Sequence, residues 1–199
     1  VVHHYMLSLP YSTPEQDIEM LNIVYSSIKG RPHEIKIYPY SVVDYSPFKE
    51  EYDEGKFELY TDTDPEKFIE VMAYALQNCP RDIRICRAVR DIPTKFIYGG
   101  CMTPNMRQIA TDRIEKAGNE CMDIRSREVG RRPGYKLEDA VLNLVSTSIN
   151  DHIIMVESND GRALFGFLRL RFNDMDGKRH IVFKELNNMA IIEELHVYS

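Results

Sequence analysis

The chain has 199 residues, 43% apolar and 28% charged, which suits one ordinary globular domain or two small ones and argues against disorder. No apolar run reaches the ~18 residues of a membrane-spanning helix, because a charged residue breaks each hydrophobic stretch. The net charge of -6 is unevenly spread: residues 1–80 carry -8, residues 81–140 carry +4 and residues 141–199 carry -2. Only the middle is basic, so a polyanion would be met there, although such a segment is also what a solvated surface looks like.

Val1 to Leu9 carries no basic leader, so the chain is expected to stay inside the cell, in the cytoplasm and also the nucleus, with no membrane partner. Cys79, Cys86, Cys101 and Cys121 have no close pairing. They are expected to be reduced thiols, with neither a disulfide framework nor a zinc knuckle.

In chain order, Val1 to Leu9 is predicted as a strand. Thr13-Pro14-Glu15-Gln16 is a capping box with Pro at the first helical position, and Ile18, Leu21, Tyr25 and Ile28 recur at helical spacing until Gly30 and Pro32. Ile35 to Pro39 is a second strand, and the acidic, aromatic stretch Tyr45 to Tyr60 is a short helix and loop. Asp64-Pro65 opens a helix whose Phe68, Val71, Met72, Ala75 and Leu76 form one face. Ile83 to Val89 is a third strand. The alternation predicts a parallel sheet with crossover helices and places chemistry past the strand ends, near Ser8 to Tyr11, Tyr38 to Val42 and Arg90 to Pro93. A helix from Asn105, acting as its cap, runs to Ala117 before Gly118, and Arg131-Arg132-Pro133-Gly134 is a linker.

Beyond it the period becomes strand-like over Val141 to Ile149, His152 to Glu157, Ala163 to Arg171 and Ala190 to Tyr198. Asn159-Asp160-Gly161 and Asp174-Met175-Asp176-Gly177 provide hairpin turns, so an antiparallel second domain is expected. No helix follows its last strand, so this domain is expected to be incomplete.

Seven local sequences in order carry a resemblance. They are Lys36-Ile37-Tyr38-Pro39, Tyr52 with Gly55-Lys56-Phe57, Arg90-Asp91-Ile92-Pro93, Asn105-Met106-Arg107, the run Cys121-Met122-Asp123-Ile124-Arg125-Ser126-Arg127-Glu128-Val129-Gly130, Gly166-Phe167-Leu168-Arg169-Leu170-Arg171 and Glu194-Leu195-His196-Val197-Tyr198. Together they resemble the Elongator complex protein 3 family, over essentially the whole chain.

The resemblance implies an α/β fragment. Residues 1–100 would be the later part of a radical S-adenosylmethionine partial barrel, 101–135 a basic connecting segment, and 136–199 the opening, mainly antiparallel strands of a GNAT acetyltransferase domain. It implies an acyltransferase that begins a carboxymethyl-type modification of the tRNA wobble uridine. The cofactors would be acetyl-CoA, S-adenosylmethionine and a four-iron four-sulfur cluster, and the partners tRNA and other Elongator subunits or a second copy. The family's cysteine triplet would precede Val1 and its Gly-rich pyrophosphate loop would follow Ser199, so a piece cut at both ends, retaining no cofactor and inactive alone, is expected. Asp123 and Ser126 replace cysteines that some archaeal and bacterial members carry, which speaks against zinc. Glu193 and Ser199 also depart from the family's usual Arg and Gly.

Arg90 is placed at the barrel mouth, where it could hold an anion bidentately or pair with Asp82 or Asp91. Lys36, in an otherwise apolar strand, lines either a cofactor pocket or an outward-facing edge. Arg84, Arg87, Arg125, Arg127, Arg131 and Arg132 are candidate tRNA contacts; the alternative is a surface ion pair with Asp82 or Asp91 for Arg84 and Arg87, and a solvated linker paired with Glu128 for the other four. Glu194, His196 and Tyr198 share a strand face, with His196 as a base or a satisfied core histidine and Tyr198 as a donor to a leaving thiolate. Leu195 and Val197 are expected to point into the core. His3 and His4 point apart and form no metal pair. A non-catalytic module docking Elongator subunits, or a histone-type lysine acetyltransferase, are the alternatives.

Overall fold

A computed structural model describes residues 1–27, 31–89, 92–148, 150–173, 183–186 and 189–199. It divides into a first compact unit, Val1–Ser27 with Pro32–Asp123, and a second formed mainly by Ile124–Ser199. The segment 101–135 is thus shared, with 101–123 in the first unit and 124–135 in the second.

The first unit runs through β1 (Val2–Leu7), α1 (Pro14–Ser26), β2 (Glu34–Pro39), β3 (Ser41–Val43), α2 (Lys49–Asp53), α3 (Tyr60–Thr63), α4 (Pro65–Gln77), β4 (Arg84–Arg87), β5 (Ile97–Gly100) and α5 (Met106–Lys116). The capping box forms as predicted: the Gln16 N–H donates to Thr13 Oγ1 and the Thr13 N–H to Gln16 Oε1. Asp64 caps α4 by accepting from the Lys67 N–H at 3.0 Å. Asn105 departs from expectation, because its side chain makes no cap bond to α5. Ile28 and Gly30, at the predicted end of the first helix, lie outside the described residues.

Strands β1, β2 and β4 pair in that order, all parallel. Alternation sends Ile35 and Ile37 to one face, where they join Leu7, Leu21, Phe68, Val71, Met72 and Leu76 under α1 and α4. Among the described residues, β4 has no strand on its outer side. There the Arg107 guanidinium donates to the Ile85 carbonyl at 2.8 Å, while the Asp123 carboxylate accepts from the Ile85 N–H at 3.2 Å and from Arg107 at 3.1 Å. Two side chains therefore satisfy the edge backbone as a neighbouring strand would.

An antiparallel pair, β3 with β5, was not expected from the sequence. Its strands are too short to show a period, and Gly99 and Gly100 are poor strand formers. Their lack of a side chain is required: a Cβ on Gly99 would fall 2.3 Å from the Tyr52 ring, and Gly100 has a φ of 102°.

The second unit begins with α6 (Ile124–Arg127) and continues through β6 (Ala140–Ser146), β7 (Asp151–Ser158), β8 (Leu164–Phe172) and β9 (Ala190–Val197), an antiparallel sheet in sequence order. The expected turn closes β7 onto β8, with the Gly161 N–H donating to the Ser158 carbonyl and Gly161 at a φ of 73°. Ile149 and the predicted turn at Asp174–Gly177 lie outside the described residues.

One sheet face carries the core of Ile124, Ile153, Met155, Leu164 and Phe167. The other is apolar and open. Leu142 and Leu144 on β6 and Ile192, Leu195 and Val197 on β9 are exposed, Val197 at 82%. This corrects the expectation that Leu195 and Val197 are core residues. Glu194 and His196 occupy the inner face of β9, because Arg169 neutralises the carboxylate and Phe167 stacks on the imidazole.

Candidate functional site

Parallel sheets are ordinarily covered on both faces. Here α1 and α4 cover one, and the other bears polar side chains. Register puts His4 beside Lys36 and Lys36 beside Arg87, with Met6 beside Tyr38 one step toward the strand ends. Lys36 lies on the central strand and not on an edge strand. His4, Tyr5, Met6, Tyr38 and Arg87 line a cleft of roughly 390 Å³, and the His4 and Tyr38 rings meet edge to face at 5.7 Å. An imidazole, two phenols and a guanidinium thus line the cleft, Lys36 neighbours His4 and Arg87 in the strand register, and among the described residues no carboxylate lines it. The set suits an anionic group next to a flat ring. Arg84 turns instead toward Glu34, 3.8 Å away. His3 and His4 diverge as predicted, His3 meeting the Tyr5 hydroxyl at 2.9 Å. Arg90 lies outside the described residues.

In the second unit the predicted arginines separate. Arg127 is 0% exposed, and its guanidinium donates to Glu157 Oε2 at 2.5 Å and to the Gly161 carbonyl at 3.2 Å, while Asn143 donates to Glu157 Oε1 at 2.6 Å. This corrects the expectation of a phosphate contact, since the guanidinium is consumed inside the unit by a buried carboxylate. Arg125 is half-buried, and Arg132 donates to the Ser126 carbonyl at 3.0 Å. Arg131 is exposed and pairs with Glu128 at 3.2 Å. Glu128, Gly130, Arg131, Tyr198 and Ser199 line a cleft of about 370 Å³, so Arg131 and Tyr198 come together.

Glu194, His196 and Tyr198 do share a face. His196 Nε2 lies 2.9 Å from Glu194 Oε1, Arg169 donates to Glu194 Oε2 at 2.7 Å, and Phe167, His196 and Tyr198 form a stacked ladder with 5.1 and 6.0 Å between successive rings. The carboxylate orients the imidazole, a geometry that suits proton transfer, while Tyr198 packs against the core.

The chain has relatives among known proteins. The Radical_SAM C-terminal domain matches residues 32–116, which hold β2, β4, α4 and α5. Elongator complex protein 3 of Bos taurus is 32% identical over the whole chain. The chain is a homologue of Elongator complex protein 3.

It spans 36% of that cattle Elongator complex protein 3, about a third of the relative's length. A protein of Methanocaldococcus infernus named tRNA uridine(34) acetyltransferase is 29% identical, again over 100% of this chain and 38% of its own length. The solved structure of the M. infernus Elp3 with its N-terminus deleted superposes with a TM-score of 0.85 at 28% identity, covering 100% of this chain and 47% of that one.

Sequence reasoning missed His4, Met6, Asn143, Glu157 and Arg169. The first two gave a readable signal, alternation in β1, but their link to Lys36 and Tyr38 needs the parallel register across a crossover.

Proposed function

We propose that the chain is part of an acyltransferase that modifies the wobble uridine of tRNA, and that it handles substrate on the open face formed by His4, Lys36, Tyr38 and Arg87. The carrying observation is the likeness over the whole chain to proteins named for that chemistry, together with a parallel sheet whose uncovered face is cationic and aromatic where most such faces are apolar. Arg87 and Lys36 hold an anionic group, and the His4 and Tyr38 rings set the position of a planar one.

In this reading the complete protein makes a carboxymethyl-type group with S-adenosylmethionine, an iron–sulfur cluster and acetyl-CoA, and works beside other Elongator subunits. The cysteines present do not suit a cluster: Cys79 and Cys101 are buried in the first unit's core and burial raises both thiols. When bound, S-adenosylmethionine on its cluster supplies radical chemistry; this chain's residues bind and orient. His196, steered by Glu194, holds a proton beside Tyr198 in the second unit.

The test is a tRNA gel shift across a salt series. Binding should weaken as salt rises, and Lys36→Ala and Arg87→Ala should each lower the slope of log affinity against log salt by about 1. Salt-independent binding, or none at low salt, defeats the proposal.

A further inference from the structure

Exposed aromatic rings cluster beyond the carboxyl end of β1. Tyr11 is 68% exposed and has a φ of 67°, a left-handed backbone that a residue with a bulky side chain rarely adopts. Ser8 opens the same turn at a φ of 56°. The turn is held from beneath, where the buried Asp17 carboxylate accepts from the Ser8 N–H at 2.7 Å and from the Tyr60 hydroxyl at 2.6 Å. Strain of this kind persists only where the surroundings fix it, and it gathers at functional surfaces. Its effect here is to set the Tyr11 ring 5.7 Å from Phe57, on which Tyr52 packs at 5.7 Å and Phe48 at 6.4 Å. Phe48 is itself exposed, and Tyr45 stands 95% exposed nearby in sequence.

Charge says what such a surface would receive. Residues 44–64 hold eight carboxylates against two lysines, Lys49 and Lys56, so a phosphate backbone is repelled and a cation is drawn in. Lys49 already displays the contact: its Nζ lies 4.4 Å from the centre of the exposed Tyr98 ring and 2.6 Å from Asp53 Oδ2. An ammonium thus lies over a ring face and beside a carboxylate, so this surface already holds one cation–π contact.

We propose that this aromatic, acidic surface docks an arginine-rich segment of a partner protein, with the Tyr11, Tyr45 and Phe48 rings receiving guanidinium planes and the Glu50, Glu51 and Glu58 carboxylates pairing with their charge. Arginine fits better than lysine because its flat cation both stacks and pairs. The surface is distinct from the open sheet face of His4, Lys36 and Arg87, so its role is independent of the uridine-modifying reading.

Fluorescence anisotropy of a labelled peptide of alternating arginine and glycine, titrated with the whole chain at low salt, tests this. Saturable binding is expected, weakening with added salt and falling about tenfold in Tyr11→Asn and in Tyr45→Ala. Asparagine tolerates the left-handed backbone and Tyr45 is almost wholly in solvent, so both variants should keep the wild-type unfolding midpoint. Wild-type affinity in both variants overturns the proposal, as does absence of binding. Weaker binding of a labelled single-stranded RNA by Tyr11→Asn and Tyr45→Ala than by wild type equally overturns it, since the surface would then be a nucleic-acid site.

Discussion

Replacing Arg127 with alanine should be among the most damaging single changes in the second unit. Wild-type Arg127 is fully buried with Glu157 almost equally so, and Asn143 and Arg127 take one oxygen each of that carboxylate. Truncation removes the ion pair and the bond to the Gly161 carbonyl, leaving the Glu157 carboxylate in the interior without the guanidinium. A buried pair broken from one side costs about 3–5 kcal/mol. Arg127→Met with Glu157→Leu removes both charges at similar volume and should lie within about 1 kcal/mol of wild type. Urea unfolding followed by hydrogen exchange at β7 and β8 amides locates the loss in this unit, which matters because two compact units can unfold separately. A loss under about 1 kcal/mol for Arg127→Ala, accompanied by weaker tRNA binding, would show that the guanidinium faces a phosphate and that the buried pairing is wrong.

Asp123→Ala should open the outer edge of β4 and speed exchange of the Ile85 amide, with a loss of about 3 kcal/mol, because Asp123 is buried and holds both that N–H and Arg107. Asp160, held by the Ser158 hydroxyl, the Arg162 N–H and the Tyr135 hydroxyl, has its carboxyl lowered to about 2. A lowered carboxyl stabilises the fold above its unfolded value and loses that contribution as pH falls through the folded one. The stability gap between wild type and Asp160→Ala should therefore be constant above about pH 5 and close toward about pH 2 in acid-unfolding titrations. Burial, helped by Glu34, pushes the Cys86 thiol up to about 12. At pH 8 its alkylation by iodoacetamide, followed by intact mass, should be on the order of 10³-fold slower than that of an ordinary thiol.

Much of the fold was legible because local chemistry and global packing agree. Thr13, Gln16 and Asp64 mark helix starts through side-chain bonds to backbone only three residues away, and alternation in 35–39 gives the strand and its buried face directly. What was lost depends on distance in the chain. Arg127 looks like part of a basic run because charge is visible in sequence, whereas the Glu157 and Asn143 that bury it lie 30 and 16 residues away. Leu195 and Val197 were assigned to the wrong face by a sound rule: hydrophobic residues usually point inward, but here Arg169 and Phe167 make the inner face hospitable to Glu194 and His196. The polar sheet face at Lys36 was half visible, as a charge in an apolar strand, while its neighbours His4 and Arg87 arrive only through strand pairing.

The open apolar face of β6 and β9 gives the chain two surfaces that respond to ions with opposite sign. Leu142, Leu144, Ile192, Leu195 and Val197 present hydrocarbon to solvent, and sulfate strengthens hydrocarbon association because it is excluded from protein surfaces. Contacts of Lys36 and Arg87 with a polyanion weaken in the same solution as counterions compete. Ammonium sulfate should therefore favour clustering of chains through the sheet while it weakens the proposed polyanion contacts of Lys36 and Arg87, and dilute buffer should do the reverse. Choice of salt alone would select which of the two surfaces is engaged.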